Sequence, residues 1–343
     1  MSLQEILGFE LPIVQAPLAG WQGSELTIAV CNAGGLGSLP CGLLSVDAMR
    51  AELSRIRAQT TKPFNVNFFC HEPPTVDAAR EAAWRGLLAP YLQEFGIALS
   101  EPAAAPLRKP FSAAMADALE AFKPAVVSFH FGLPSSDLLQ RVKTWGSTVW
   151  ASATTVAEAL WLERHGADAI VAQGLEAGGH RGLFLSEDLT TQLGTLALLP
   201  QIVRVARVPV IAAGGIAEAK GVAAALSLGA AAVQLGTVYL LCPEATTSQV
   251  HRAALKSPRA AHTAVTNLFS GRPARGIVNR LMAELGPMNA AAPAFPSAGN
   301  ALAGLRKKAE SLGLGDFSPL WCGQNASGCR EIPAGLLTRA LAS

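Results

Sequence analysis

Residues 208–237 read VPVIAAGGIAEAKGVAAALSLGAAAVQLGT, and this stretch decides the fold. Val208–Gly215 is a short apolar, β-branched run that closes on two glycines. Glu218–Leu228 then sets alanine and leucine at helical spacing, Gly229 follows as a C′ residue, and a second apolar run, Ala231–Thr237, closes on glycine and threonine. That is a strand, a helix and a parallel strand. The same helix-turn-strand unit occurs upstream: helix Val156–His165, Gly166, then strand Ala169–Gly174, so that ERHGADAIV echoes LSLGAAAVQLG.

Working outward, five more strand candidates alternate with alanine-rich segments: Leu11–Leu18, Gly34–Pro40, Phe64–Phe69, Ala125–Gly132 and Thr148–Thr154. Eight strands in this rhythm predict an α/β fold, a (β/α)8 TIM barrel. Two segments break the alternation. Residues 71–120, with Pro73, Pro74 and the alanine/proline stretch Pro102–Pro106, are too long for a plain loop and predict two helices. Beyond residue 241 the chain reads as helix, loop (FSGRPARG) and further helix. The expected division is a barrel over 1–240, a smaller, mostly helical domain over the active site at 241–305, and a segment 306–343 returning to the barrel.

Composition supports one large core with an appendage. Of 343 residues, 50% are apolar and only 15% charged, so much of the chain must be buried. The 27 basic and 25 acidic side chains give a net +2, neither the footprint of a nucleic-acid binder nor an acidic tail. Cys31, Cys41, Cys70, Cys242, Cys322 and Cys329 form no CxxC pair, which suits a reducing cytoplasm. The opening MSLQEILGFELP carries Glu5 and Glu10 and has neither a basic leader nor an apolar h-region, and no uncharged apolar run approaches the roughly 20 residues of a membrane span. A soluble, cytoplasmic protein without nucleic-acid or membrane partners is expected.

In such barrels chemistry sits at the C-terminal ends of the strands, and phosphate binds at the loops after the last two. Here those loops are Gly214-Gly215 and Gly236-Thr237. Glycine lets the backbone approach an anion closely, and the Thr237 hydroxyl adds a donor. After the sixth strand come Gln173-Gly174-Leu175-Glu176-Ala177-Gly178-Gly179-His180-Arg181-Gly182, with four glycines in nine residues from Gly174 on. That density costs backbone entropy unless something flat must lie against the loop, which points to a ring cofactor. His180 then stands over the mouth, where an imidazole can take or hold a proton; an exposed loop histidine is the plainer alternative. His130 ends the fourth strand, with Ser128 on its side and Phe129 and Phe131 on the other by alternation. A hydrogen-bonded core histidine is equally compatible with it. Asn67, near the end of the third strand, has an amide for a cofactor ring or simply for the pleat. His71, His165, His251 and His262 lack such context, and no His/Asp/Glu cluster has metal-ligand spacing. The chain also has no GxxxxGK[ST] and no strand-borne GxGxxG with a following acid, so a P-loop or Rossmann nucleotide site is disfavoured.

The strings PIVQAPLAG, NAGGLGSLP, FNVNFF, VVSFHFGLP, AQGLEAGGHRG, PVIAAGGI, AAVQLGTVYL, FSGRPARGIVNR and LWCGQ run in order over nearly the whole chain. Together they resemble nitronate monooxygenases, formerly called 2-nitropropane dioxygenases. The resemblance implies an FMN-bearing barrel, a smaller domain over the flavin, and no nicotinamide requirement. It implies oxidation of alkyl nitronates, propionate-3-nitronate among them, by dioxygen to a carbonyl compound and nitrite, a nitroalkane detoxification. By motif, Asn67, Gln173, Gly178, Gly215, Gln234, Gly236 and Thr237 contact FMN, joined by Gly179 and Gly214 from the same glycine turns. His180 is the catalytic base or substrate anchor, and His130 lines the pocket. Some members carry a YPxxYDAxK-like segment over the substrate where this chain reads Phe295-Pro296-Ser297-Ala298-Gly299-Asn300-Ala301, which leaves pocket polarity open. Rival readings are an FMN-dependent enoyl-thioester reductase using NAD(P)H and a non-catalytic flavin-binding barrel.

Overall fold

The structure, a computed structural model, describes residues 3–98 and 108–343; the Pro102–Pro106 stretch lies outside the described residues. The strands are β1 (Ile13–Gln15), β2 (Gly37–Pro40), β3 (Phe64–Phe69), β4 (Val126–His130), β5 (Thr148–Ala153), β6 (Ala169–Gln173), β7 (Gly179–His180), β8 (Val210–Ala213), β9 (Ala232–Leu235), β10 (Thr263–Thr266) and β11 (Ala274–Ile277). Eight of them form one parallel sheet in the order β1-β9-β8-β6-β5-β4-β3-β2. A parallel bridge between Val14 and Leu36, with Gln15 N–H donating to the Leu36 carbonyl at 2.9 Å, joins the outer strands and closes the ring. Each barrel strand falls inside its sequence-predicted range. At β8 and β9 the trimmed C-terminal residues, Gly214, Gly215, Gly236 and Thr237, leave the ladder and line the mouth.

Two-residue periodicity sorts the side chains. Val14, Leu36, Val126, Trp150, Ala169, Val171, Ile211, Ala213 and Ala232 fill the barrel with Leu3 and Phe9 as a plug, while Val127, Phe129, Ile170, Ala212 and Val233 pack outward on the helices. The inward positions turn polar at the C-terminal end, where Asn67, Ser128, Ser152 and Gln173 are all buried. The helices after β5 and β8, Val156–Arg164 and Ala219–Ser227, are followed by Gly166 at φ +99° and Gly229 at φ +95°, the left-handed C′ geometry expected of them.

Residues 71–120 contain the two anticipated helices, Ala78–Glu94 and Ala113–Glu120. The first leaves the barrel wall to join a separate core. Its Trp84, Leu88 and Tyr91 pack with Leu268, Phe269, Leu281, Leu305 and Phe317, and Trp84 Nε1 donates to the Ala298 carbonyl at 3.0 Å. Between residues 263 and 277 the chain differs from the helix-loop-helix expectation. It forms the antiparallel hairpin β10–β11, and β11 takes up Ala274–Gly276 of the FSGRPARG segment read as loop. The four-residue strand ARGI has no apolar alternation to announce it. Its partner is the two-residue β7, with Ala274 opposite His180 and Arg275 opposite Gly179. The helix Ala334–Leu341 packs Leu337 and Leu341 into the barrel's outer core, and Tyr239 and Thr338 hydroxyls meet at 2.9 Å. Among the described residues no helix is long and apolar enough to cross a membrane.

Candidate active site

A cleft of about 1390 Å3, measured out to its open mouth, lies at the C-terminal ends of the barrel strands. The structure brings every sequence candidate to this one cleft: Asn67 from β3, His130 from β4, Gln173 from β6, Gly178, Gly179 and His180 from the following loop, Gly214 and Gly215 after β8, Gln234 from β9, and Gly236 and Thr237 beyond it.

Backbone builds the floor. Gly214 and Gly215 take φ +118° and +71°, which L side chains rarely adopt. Thr195 ties this turn to the neighbouring loop, its N–H donating to Glu176 Oε2 at 2.8 Å and its hydroxyl 2.9 Å from the Gly214 carbonyl. The floor also has a strap that sequence reasoning missed. Gly323 N–H donates to Thr237 Oγ1 at 2.9 Å, Gln324 N–H to the Glu176 carbonyl at 2.9 Å, and Asn325 Nδ2 to the Gly215 carbonyl at 3.1 Å. A Cβ on Gly178 would lie 2.5 Å from Gly323 N, so glycine is required where strap and loop cross. The glycine and amides of CGQN were the available signal.

The walls are clamped by side chains. Gln173 Oε1 accepts from Gly182 N–H at 2.8 Å and its Nε2 donates to the His180 carbonyl at 2.9 Å, fixing the loop on both sides of Arg181. Arg181, fully buried, donates to the Gln173 and Gly174 carbonyls and to Gln192. Asn67 Nδ2 donates to Ser128 Oγ at 2.9 Å. Gln234, half-buried, makes no side-chain hydrogen bond among the described residues, which leaves its amide for a ligand.

The two histidines separate. His130 Nε2 lies 3.2 Å from the His180 carbonyl, which can only accept, so Nε2 carries the proton; Nδ1 accepts from Ser152 Oγ at 3.0 Å. Both nitrogens are committed, and burial holds the ring neutral by lowering its pKa to about 4. His180 is instead bonded on one side, with Nε2 2.8 Å from Ser270 Oγ. The Ser270 hydroxyl is placed to donate to the Arg272 carbonyl at 3.2 Å, which assigns the imidazole proton to Nε2 and the lone pair to Nδ1, an atom without a partner among the described residues. Burial, then the positive charges of Arg108 and Arg272, push the His180 pKa well below its ordinary value, so it is neutral near pH 7.

Aromatic rings form the roof. Phe69 stacks on Phe131 at 5.3 Å, and Phe295 meets both edge-on at 6.0 and 5.4 Å. Strand alternation had put Phe131 outside the barrel with Phe129, and the structure corrects this. The strand ends at His130, and Phe131 turns with φ +71°, bringing its ring back to within 6.0 Å of His180. Arg272 stacks over Phe131 at 4.1 Å and donates to the Leu183 carbonyl at 2.9 Å. His71, given no role from sequence, is buried behind this cluster, edge-on to Phe295 at 4.7 Å, with Nδ1 unpaired and its pKa lowered to about 4 by burial. Ser270, Arg272 and Arg108 are likewise additions from outside the barrel strands, while Phe295 opens the segment that the resemblance set over the substrate. Of the remaining histidines, His165 stacks on Trp161 on an outer helix and His251 bonds the Trp321 carbonyl at 3.0 Å. Among the described residues no group of His, Cys, Asp or Glu side chains is placed to hold a metal.

The cleft thus has amides and hydroxyls at its strand ends, glycine turns at one side, a neutral imidazole with a free nitrogen, and no carboxylate among its described lining residues. It suits an anionic ligand. A family model described as nitronate monooxygenase matches residues 1–342. The nitronate monooxygenase of Pseudomonas aeruginosa is 44% identical over 342 residues, covering 98% of this chain and 96% of its own, and that of Paraburkholderia phytofirmans is 44% identical over 345 residues, covering 99% and 93%. Among solved structures, a nitroalkane oxidase from Streptomyces ansochromogenes superposes with a TM-score of 0.90 at 39% identity, covering 100% of this chain and 97% of that one. FabK from Thermotoga maritima superposes with a TM-score of 0.72 at 27% identity, covering 99% and 94%.

Proposed function

The chain belongs to the nitronate monooxygenase family and is an oxidoreductase, and from that premise we propose that it uses FMN to oxidise alkyl nitronates with dioxygen, yielding a carbonyl compound and nitrite. The observation that carries this reading is His180: a neutral imidazole with Nδ1 free, in a cleft whose described lining has no carboxylate. Such a site accepts a carbon-bound proton and then keeps company with the anion that results.

The residues present fit FMN. Gly179 and Gly236 leave room beside the backbone, Gly178, Gly214 and Gly215 line the same side of the cleft, and Thr237 adds a hydroxyl, the donor set a phosphate takes. Asn67, Gln173 and Gln234 would meet the polar edge of the ring, Gln234 with an amide that nothing among the described residues satisfies. Bound there, the flavin supplies acceptance of an electron from the substrate and reaction with dioxygen, which no side chain can do. The protein's own part is proton handling and placement. His180 Nδ1 takes the proton from the carbon bearing the nitro group, or in its protonated form donates to a nitronate oxygen. Ser270 holds Nε2–H and so keeps the lone pair on Nδ1. His130 and Gln173 hold the His180 carbonyl, fixing the ring's origin on the loop. Phe69, Phe131 and Phe295 exclude water above.

The test is an anaerobic spectrum of the flavin-loaded protein before and after adding ethyl nitronate and, separately, NADPH. Loss of visible flavin absorbance with the nitronate, and nitrite release on admitting air, is the expected result. Bleaching by NADPH alone would move the assignment to a reductase, and a protein that takes up no flavin would end the reading.

A further inference from the structure

Glu158 is a buried acid with no part in the proton transfer at His180. It follows Thr155, the N-cap of helix Val156–Arg164, whose hydroxyl accepts from the Glu158 N–H at 3.2 Å. In a capping box the glutamate would reach back to the N-cap N–H. Here its carboxylate goes elsewhere. Oε2 accepts from the N–H and the hydroxyl of Thr154, both at 2.7 Å, and Oε1 accepts from Phe184 N–H at 2.7 Å and Leu185 N–H at 3.3 Å. Glu158 is 2% exposed and forms no ion pair among the described residues. Its cationic counterpart stands two side chains away. Arg181 Nε–H donates to Gln192 Oε1 at 3.0 Å, Gln192 Nε2 donates to Thr154 Oγ1 at 2.9 Å, and Thr154 Oγ1 donates to Glu158 Oε2 at 2.7 Å. A guanidinium can only donate and a carboxylate only accept, so the two ends fix the direction of every bond between them. All four side chains are buried. Desolvation first and then Arg275 lower the Arg181 pKa to about 10, and the carboxylates of Glu176 and Glu158 pull against them. The file begins one residue after His180 and ends on the acid that holds Phe184 and Leu185, so hydrogen bonds close the segment 181–184 into a ring.

We propose that Glu158, acting through Thr154 and Gln192, is a positioning residue for His180: the file fixes Arg181, and with it the peptide that carries the imidazole. Gln173 and His130 hold the His180 carbonyl from the barrel side. A carbonyl held alone leaves its peptide free to pivot, and an anchored side chain on the next residue removes that freedom. The ring is then held with Nε2–H on Ser270 and Nδ1 toward the cleft. The inference rests on the nitronate reading for what Nδ1 does, and not for where it is held.

The test cuts the file without entering the cleft. Thr154→Val keeps the shape of the side chain and removes the hydroxyl, whereas Thr154→Ser keeps the hydroxyl. In the flavin-loaded valine variant kcat/KM on nitroethane is expected to fall about 10–100-fold, the scale of a small misplacement of the reacting group, while kcat/KM on preformed ethyl nitronate and the affinity for flavin each change less than about threefold. The serine variant is expected within about threefold of the unaltered protein on all three measures. A second readout needs no turnover. In 15N spectra of histidine-labelled protein, where the His180 signals are those lost in His180→Asn, the unaltered protein and Thr154→Ser are expected to show one tautomer, protonated on Nε2, and Thr154→Val a mixture of two. Equal losses with both substrates and with flavin, or a His180 tautomer unchanged in the valine variant, overturn the proposal. If Thr154→Val does not fold, Gln192→Asn, too short to reach both its neighbours and without effect on the bonds of Glu158 itself, is read by the same two measurements and the same criteria. A tautomer change in a protein that consumes neither nitroethane nor ethyl nitronate would uphold the positioning role and remove the nitronate reading.

Discussion

The floor and the roof of this cleft are built on opposite principles. The floor is main chain: three glycine turns and a strap, joined by hydrogen bonds from Gly323, Gln324 and Asn325. The roof is side chain: Phe69 and Arg108 line it, backed by Phe131, Phe295, Arg272 and the buried His71. A backbone floor reads the same anion whatever else changes, because its donors do not depend on side-chain identity. A side-chain roof is where one member of a family is made to differ from another. His180 sits between them, its backbone in β7 and its imidazole under Phe295.

Substitutions that strike only one of the two test this division. The largest effect is expected from His180→Asn, which removes the base and leaves the backbone hydrogen bonds at this position. Flavin content should stay, while kcat/KM for a nitroalkane falls about 10²–10⁴-fold; full turnover would show that the proton goes elsewhere. Gly178→Ala attacks the floor. Its Cβ would meet Gly323 N at 2.5 Å and Cys322 C at 2.6 Å, both backbone, so strap or loop must move. About 1–3 kcal/mol of stability is expected to be lost, with flavin affinity at least roughly tenfold weaker by the same displacement of donors; tight flavin binding in this variant would show the strap to be incidental. Ser270→Ala removes the acceptor of His180 Nε2–H, with an expected fall in kcat/KM of about five- to tenfold on a nitroalkane and a smaller one on a preformed nitronate.

A pH series gives the mildest test. His71 and His130 are held neutral with pKa values of about 4, and His180 is lowered too, whereas the unfolded chain titrates near 6.5. Unfolding therefore takes up protons below pH 6.5. The stability of these sites is complete above that value and is lost as pH falls toward 4. Melting at pH 5 is expected roughly 3–6 °C below that at pH 7.5. An unchanged Tm would mean that water reaches these rings.

The same contrast decides what could be read in advance. Strands and floor are local. Val208–Gly215 and Ala231–Thr237 carry their own periodicity, and a glycine needed for backbone geometry is visible where it stands. The roof is assembled from residues 69, 71, 108, 131, 272 and 295, which no spacing links. Phe131 was misplaced because alternation was carried one residue past the end of its strand, where φ turns positive. The β10–β11 hairpin escaped because its strands owe their existence to pairing with each other and with Gly179–His180, not to an apolar pattern. The strap escaped for the same reason: its role lies in reaching a threonine 86 residues back along the chain.

That last separation has a meaning in time. During synthesis Thr237 leaves the ribosome 86 residues ahead of Gly323, and at about 5–20 residues per second the nascent barrel waits several seconds with the floor half made. A chain arrested in that interval already has its glycine turns and lacks what joins them, so the cleft floor is completed by residues 323–325 rather than by the closing of the barrel.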